Sequence, residues 1–242
     1  MKIIAVIPAR YAATRFPAKL MQTLGTKTVI LHTYENTVAT GLFTDVFVVT
    51  DHEIIFKEII EHGGKAIMSK KDHESGTDRI AEAVEKMDVD VIINVQGDEP
   101  FVKKDPLKKL CGLFYDEKVK VGSLMHAITN KELITDSNAV KVVVNKNMDA
   151  LYFSRSAIPF LRDETIQPIY YKHIGIYGYR KETLLKFTGL VPSVLEKAEK
   201  LEQLRLLENG IPIRMAITEP WGISIDSPED LEKARGLFNS FF

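Results

Sequence analysis

The sequence predicts a doubly wound α/β fold, and three observations predict it. Short, nearly uninterrupted apolar runs, Ile3-Ile4-Ala5-Val6-Ile7, Val46-Phe47-Val48-Val49 and Val91-Ile92-Ile93-Asn94-Val95, read as strands buried on both faces of a parallel sheet. Segments with helical apolar spacing separate these runs, as βαβ crossovers require. Each run leads into a polar loop, and loops at strand carboxyl ends are where open α/β sheets bind ligands.

Taken in order, Pro8 is expected to stop the first strand, because it has no N–H for a ladder. The loop after it carries three cations, Arg10, Arg15 and Lys19, among small residues and a second proline. Small side chains let backbone N–H groups approach an anion, and the cations neutralise it, so the loop suits a polyphosphate. The alternative is a solvated basic loop. A Gly-rich dinucleotide fingerprint and a Walker-type Gly-Lys-Ser/Thr ending are both missing. Helical spacing follows over 28–40, a strand over 45–50, and an amphipathic helix over 53–62 closed by Gly63-Gly64. A short strand over 65–68, a helix over 79–87 and the strand 91–95 complete the first half. The second half is strand-rich, over 121–128, 139–145, 150–153, 170–179 and 211–217. A polar connection spans 155–167 and one long amphipathic helix is expected over 193–209. Ser227-Pro228-Glu229-Asp230 opens the last helix, with serine as N-cap, proline at the first position and acids in the first turn. With no linker or repeat, residues 1–242 read as one domain.

Composition bounds the function. The chain has 242 residues, 45% hydrophobic and 27% charged, enough for one sizeable core or two modest ones in an ordinary soluble protein. A formal net charge of −1 argues against a general nucleic-acid or membrane-surface binder. No apolar run approaches the roughly 20 residues needed to span a bilayer, and the N-terminus lacks the features of a secretory signal. The one cysteine, Cys111, reads as a small core residue in a reducing compartment, so a cytoplasmic protein is expected.

Four constellations carry possible chemistry. Gln96-Gly97-Asp98-Glu99-Pro100 turns at a strand's carboxyl end, where Asp98 is either a Mg²⁺ ligand or an exposed turn residue. Asp226, before the last helix, is either a second carboxylate at that metal or a residue favoured by the helix dipole. Ser75-Gly76-Thr77 offers hydroxyls and a flexible backbone to a ribose, base or phosphate, or is simply an N-cap. Arg155, His173, Tyr177, Glu202 and Gln203 form the kind of polar set a sugar acid needs, although Glu202 and Gln203 also suit a solvated helix face. The six histidines lack zinc-ligand spacing, and no Gly-x-Ser-x-Gly elbow occurs.

Together these stretches resemble the 3-deoxy-manno-octulosonate (Kdo) cytidylyltransferases. The resemblance rests on Ile7-Pro8-Ala9-Arg10-Tyr11-Ala12-Ala13-Thr14-Arg15-Phe16-Pro17-Ala18-Lys19, Thr50-Asp51-His52, Asp72-His73-Glu74-Ser75-Gly76-Thr77-Asp78-Arg79 and Asn94-Val95-Gln96-Gly97-Asp98-Glu99-Pro100. It continues through Asn138-Ala139-Val140-Lys141-Val142-Val143, Leu151-Tyr152-Phe153-Ser154-Arg155, His173-Ile174-Gly175-Ile176-Tyr177-Gly178-Tyr179-Arg180, Leu201-Glu202-Gln203-Leu204-Arg205 and Asp226-Ser227-Pro228-Glu229-Asp230. The order is that of the family, over nearly the whole chain.

The resemblance implies a Rossmann-like nucleotidyltransferase fold with a mainly parallel or mixed central sheet, and a smaller second-half sheet used for homodimerisation. It implies transfer of CMP from CTP to the anomeric hydroxyl of Kdo for lipopolysaccharide synthesis, with Mg²⁺. Residues 1–120 would mainly bind CTP, 121–218 would bind the sugar and dimerise, and 219–242 would close the metal site. Ala9, Arg10, Arg15, Lys19, Ser75, Gly76 and Arg79 would hold CTP. Asp98 and Asp226 would bind the metal, acting with Arg10 and Lys19 in catalysis. Gln96, Arg155, His173, Tyr177, Glu202 and Gln203 would line the sugar pocket. An 8-amino or nonulosonic (sialic-type) acid is the nearer alternative substrate, and a catalytically silent nucleotide-binding dimer the alternative of another class. Three departures stand out: Phe16, Ala18 where glycine is expected, and Trp221-Gly222-Ile223-Ser224-Ile225 where a more glycine-rich approach is expected.

Overall fold

A computed structural model describes residues 1–12, 16–73 and 75–239, divided between two compact units, Met1–Leu107 with Trp221–Phe242 and Lys108–Pro220. In the first unit β1 (Ile3–Ala9) leads to a hairpin of β2 (Thr23–Leu24) and β3 (Lys27–Thr28), then α1 (Val29–Ala39), β4 (Val46–Thr50), α2 (Glu53–Glu61), β5 (Ala66–Met68), α3 (Gly76–Val84) and β6 (Val91–Asn94). β6, β1, β4 and β5 lie side by side in that order, all parallel. Their apolar runs are buried as expected, with Ile4, Ala5, Ile7, Val48, Val49, Ile92 and Ile93 at most 1% exposed. Side chains cap the helices: Thr28 Oγ1 accepts from Leu31 N–H, His52 Nδ1 from Ile54 N–H and Ser75 Oγ from Asp78 N–H. The Ser75 cap starts α3 three residues before the expected 79.

Pro8 does not end β1, which pairs with β4 through Ala9. Ala5 N–H donates toward β4, to Asp45 O, whereas Val6 O accepts from Val95 N–H on the β6 side. Alternation therefore aims the nitrogen of Pro8 toward β6, whose register has already ended at Val6 opposite Asn94. No ladder bond is lost there.

The division between the units falls within α4 (Lys104–Gly112). In the second unit β7 (Val121–Ala127) is followed by α5 (Glu132–Thr135), β8 (Lys141–Val144), β9 (Ala150–Ser154), β10 (Tyr171–Arg180), α6 (Lys181–Thr188), α7 (Val194–Glu199), α8 (Leu204–Glu208) and β11 (Ile213–Ile217). β7 pairs with β11 in parallel and with β10 antiparallel; β8 pairs antiparallel with both β10 and β9. The expected long helix over 193–209 is broken into α7 and α8, because Lys200 takes the left-handed conformation (φ 54°, ψ 47°). The chain returns to the first unit as 221–227 and α9 (Pro228–Asn239), where Ser227 Oγ accepts from Asp230 N–H. Cys111 is buried, and burial pushes its thiol up to about 12, in keeping with a core residue. Among the described residues, no helix is long and apolar enough to cross a membrane.

Candidate active site

A cleft of about 340 Å³ in the first unit is lined by the ends of β1 and β6, the turn after Phe16, the start of α3 and Asp226. Its floor is made by close approaches. A Cβ on Gly97 would lie 3.1 Å from Pro8 O, and one on Gly76 would lie 3.1 Å from Pro8 Cγ. Ala18 precedes the 3₁₀ turn Lys19–Met21 with φ 51° and ψ 29°, the left-handed region where glycine carries no penalty. The residue that departs from the expected glycine is thus held in a glycine-like conformation.

That turn delivers Lys19 to two carboxylates. Its Nζ donates to Asp98 Oδ2 in a short contact and to Asp226 Oδ1 at 3.0 Å. Asp226 arrives because Ile225 N–H donates to Asp98 O at 3.0 Å and because Gly222 packs on Phe101, where a Cβ would come within 2.6 Å of Phe101 Cβ. Burial opposes the charge on Lys19, but the neighbouring carboxylates prevail and hold its pKa above the ordinary lysine value. Burial holds Asp98 above the ordinary aspartate range, offset only in part by Lys19.

Two carboxylates against one ammonium leave this cluster one negative charge in excess, an unfavourable seat for a polyphosphate. A divalent cation reverses that balance. Mg²⁺ is typically held by one or two carboxylates, with substrate phosphates and water completing its shell, so the oxygen donors of Asp98 and Asp226 fit it. No group of three or more His, Cys, Asp or Glu side chains suited to a metal occurs among the described residues, so an all-protein cage is not built here.

Arg10 is exposed on the cleft. Arg15 lies outside the described residues, as do Ala13, Thr14 and Glu74. Ser75 both caps α3 and lines the cleft, its hydroxyl donating to Asp78 Oδ2 at 2.9 Å. Arg79 is 4% exposed and fully engaged at Asp51 Oδ2 (2.6 Å), Ser69 Oγ (3.1 Å) and Ala9 O (3.3 Å). Gln96 lines the cleft and donates to Asn94 Oδ1 at 2.9 Å.

Three features beside these residues escape the sequence reading. His73 lines the cleft with Nε2 2.7 Å from Glu82 Oε2, Tyr11 stacks on His52 with ring centroids 4.1 Å apart, and Asp51 anchors Arg79. All of these residues but Glu82 lie in the stretches that carry the family resemblance, which names residues without their contacts, and Asp51 carried a further signal as a carboxylate at a strand's carboxyl end.

The remaining expected residues lie in the second unit. His173 packs against Phe153 and Tyr177, and its Nε2 is 3.1 Å from Ser123 Oγ. Burial pushes its pKa down to about 3, so the ring is neutral. Tyr177 is 8% exposed and Gln203 is 7% exposed. Tyr177 Oη and Gln203 Nε2 are both buried without a hydrogen-bond partner among the described residues. Buried polar atoms are nearly always paired, so each orphan calls for an explanation. Glu202 lies 3.7 Å from Arg205. The Arg155 guanidinium is directed at backbone carbonyls.

A sequence profile described as cytidylyltransferase matches residues 4–217. The chain is 59% identical over 240 residues to the 3-deoxy-manno-octulosonate cytidylyltransferase of Flavobacterium johnsoniae, covering 98% of each chain. The chain belongs to the 3-deoxy-manno-octulosonate cytidylyltransferase family. The family member of Bacteroides thetaiotaomicron is 46% identical, with 97% of each chain covered. A solved structure of CMP:2-keto-3-deoxy-manno-octonic acid synthetase complexed with CTP matches with a TM-score of 0.95 at 42% identity, over 100% of both chains. That likeness establishes for this family member the α/β nucleotidyltransferase fold read from the sequence. A cytidylyltransferase from Leptospira borgpetersenii, at 16% identity and a TM-score of 0.68, shares the fold alone.

Proposed function

We propose that this chain transfers CMP from CTP to the anomeric hydroxyl of Kdo, releasing pyrophosphate, with Mg²⁺ as cofactor. The observation that carries the mechanism is the convergence of Lys19, Asp98 and Asp226 at one end of a cleft of about 340 Å³. Attack of the sugar hydroxyl on the α-phosphorus of CTP forms a new O–P bond and breaks the bond to the β-phosphate oxygen. Negative charge builds on the phosphoryl oxygens and the departing pyrophosphate. Arg10 and Lys19 line the cleft where it would develop, Arg15 is assigned with them from the sequence alone, and fixed charges aimed at developing charge lower the barrier without reorganisation. Asp98 and Asp226 would hold Mg²⁺, which when bound neutralises phosphoryl charge and orients the triphosphate. Ala9, Ser75, Gly76 and Arg79 take the nucleoside side of CTP. Arg79 does so as a rigid wall, since its guanidinium is engaged on three sides.

For the sugar acid, His173, Tyr177, Glu202 and Gln203 supply neutral and charged groups for hydroxyls, and Gln96 is assigned to it by the family resemblance alone. Tyr177 Oη and Gln203 Nε2, without a hydrogen-bond partner among the described residues, support this reading, because a polyol satisfies such atoms. We also read the protein as a homodimer formed through the second unit, where Leu151, Phe160, Ile166 and Ile169 are between 58% and 86% exposed. Sedimentation velocity should give a species of twice 27.3 kDa, and a monomer at micromolar concentration would refute this. A cytoplasmic role supplying lipopolysaccharide synthesis follows from the same reading, and cell fractionation tests it.

The deciding assay is pyrophosphate release with CTP and Mg²⁺, with and without Kdo. Release should require Kdo and stop with excess chelator. Release with another acid sugar but not Kdo would move the substrate, and none with any acid would overturn the reaction.

A further inference from the structure

Arg155 is the cation that a sugar-acid carboxylate would be expected to meet, yet each of its three guanidinium nitrogens is directed at a backbone carbonyl. Nε donates to Glu199 O at 2.7 Å, Nη1 to Ser137 O at 2.9 Å and Nη2 to Lys200 O at 3.5 Å. Its own N–H donates to Glu199 Oε2 at 3.0 Å, while Ser154 Oγ donates to Glu199 Oε1 at 2.6 Å. Lys141, fully buried, holds the Arg155 carbonyl from the other side, its Nζ donating to Arg155 O at 2.6 Å and Asp136 O at 2.8 Å. Arg155 is thereby fixed by its backbone as well as its side chain. A planar guanidinium suits this task, because its fork reaches separated acceptors that a point-like ammonium does not.

The carbonyls need a partner for a local reason. α7 ends at Glu199, and the last carbonyls of a helix have no acceptor role within it. Lys200 follows in the left-handed conformation, which a non-glycine residue keeps only when its surroundings hold it. Beyond it, Leu201 O and Glu202 O accept from Leu204 N–H and Arg205 N–H at 3.1 Å each, which opens α8. The turn 199–203 is therefore pinned at its entry by Arg155 and at its exit by α8. Glu202 and Gln203 stand between the two.

We propose that Arg155 is a positioning residue: its guanidinium clamps the Glu199 and Lys200 carbonyls and so sets where Glu202 and Gln203 stand, rather than meeting the substrate carboxylate. The link to substrate rests on assigning Glu202 and Gln203 to the sugar acid; the clamp itself does not.

Arg155→Lys separates the two roles, since it keeps the charge and loses the fork. In hydrogen exchange on the substrate-free protein, amides of 200–205 should exchange about 10-fold faster or more, with 1–107 unchanged. Unaltered exchange there would overturn the clamp whatever the substrate is. In steady-state assays with CTP, Mg²⁺ and Kdo, kcat/KM for Kdo should fall about 10- to 100-fold while KM for CTP holds, the scale expected of misplaced binding groups. The variant-to-wild-type ratio should be the same with the carboxamide of Kdo. A ratio returning to unity on the carboxamide would overturn the proposal, because the guanidinium would then have been meeting the carboxylate. In Arg155→Lys with Lys200→Gly, glycine takes the left-handed conformation without the clamp, and exchange and kcat/KM should move back toward wild type. A double variant no better than Arg155→Lys would count against positioning. A wild-type protein that ignores Kdo sinks the functional reading alone, and the exchange result still judges the clamp.

Discussion

Around the cleft of the first unit the key polar groups are paired in advance: Lys19 with Asp98 and Asp226, Arg79 with Asp51, and His73 with Glu82. In the second unit the groups assigned to the sugar acid include a neutral imidazole, His173, and two buried atoms, Tyr177 Oη and Gln203 Nε2, with no hydrogen-bond partner among the described residues. The difference follows from solvation. An ionised group withdrawn from water without a partner costs several kcal/mol, so charges in a cleft are held in pairs until a ligand exchanges into them. A neutral hydroxyl or amide left unpaired costs about 1–3 kcal/mol, which a fold can carry until substrate supplies the bond. On the proposed reading, a polyphosphate would be met by partner exchange, and a polyol by completion of missing hydrogen bonds.

Three variants set this contrast at risk. The largest effect is expected for Asp98→Ala, where turnover should fall at least about 10²–10³-fold, the range for removing one preorganised electrostatic group. The fold should persist by circular dichroism with a lowered thermal midpoint, because Lys19 loses one of its two carboxylate partners and keeps Asp226. Near-normal turnover in excess Mg²⁺ would remove Asp98 from the metal site. Next comes Tyr177→Phe, which should lower kcat/KM for the sugar acid by about 10- to 100-fold, following the worth of one buried hydrogen bond. Its folding should be no weaker, since the hydroxyl has no partner to lose among the described residues. Unchanged kinetics would mean that Oη never meets the substrate.

The smallest effect concerns His173. Its native pKa, about 3, lies below the ordinary 6.5, so between these values the unfolded chain takes up a proton that the native one refuses. Stability from this group is whole above pH 6.5 and is lost as pH falls toward 3, by at most about 1.4 kcal/mol per pH unit. Urea unfolding at pH 7 and pH 5 should show a shallower loss for His173→Gln than for wild type. Equal slopes would mean that the imidazole protonates in place.

Strand and helix order in the first unit was legible because apolar runs and 3.6-residue spacing are local signals. The cations of the loop after β1 and the acids Asp98 and Asp226 were legible as candidates, from charged residues in loops at element ends, but the meeting of Lys19 with both acids was not. Elsewhere the chain hides its contacts. Nothing near His73 announces Glu82, and the pairing of Arg79 with Asp51 spans 28 residues. Helical periodicity over 193–209 concealed the break at Lys200, because the carbonyl clamp that stabilises it comes from Arg155, 45 residues earlier. Pro8 misled for a similar reason: whether its missing N–H matters depends on where β6 stops, which no property of Pro8 encodes.

Pro8 has a wider consequence. Gly76 and Gly97, both lining the cleft, flank it so closely that a Cβ on either would lie 3.1 Å from one of its atoms. A side chain added at either pushes the same proline. The two positions are therefore coupled through one residue, and a change at either is felt at the other. A lineage, or an engineer, reshaping this cleft would find substitutions at Gly76 and Gly97 easier to accommodate together with a change at Pro8 than singly.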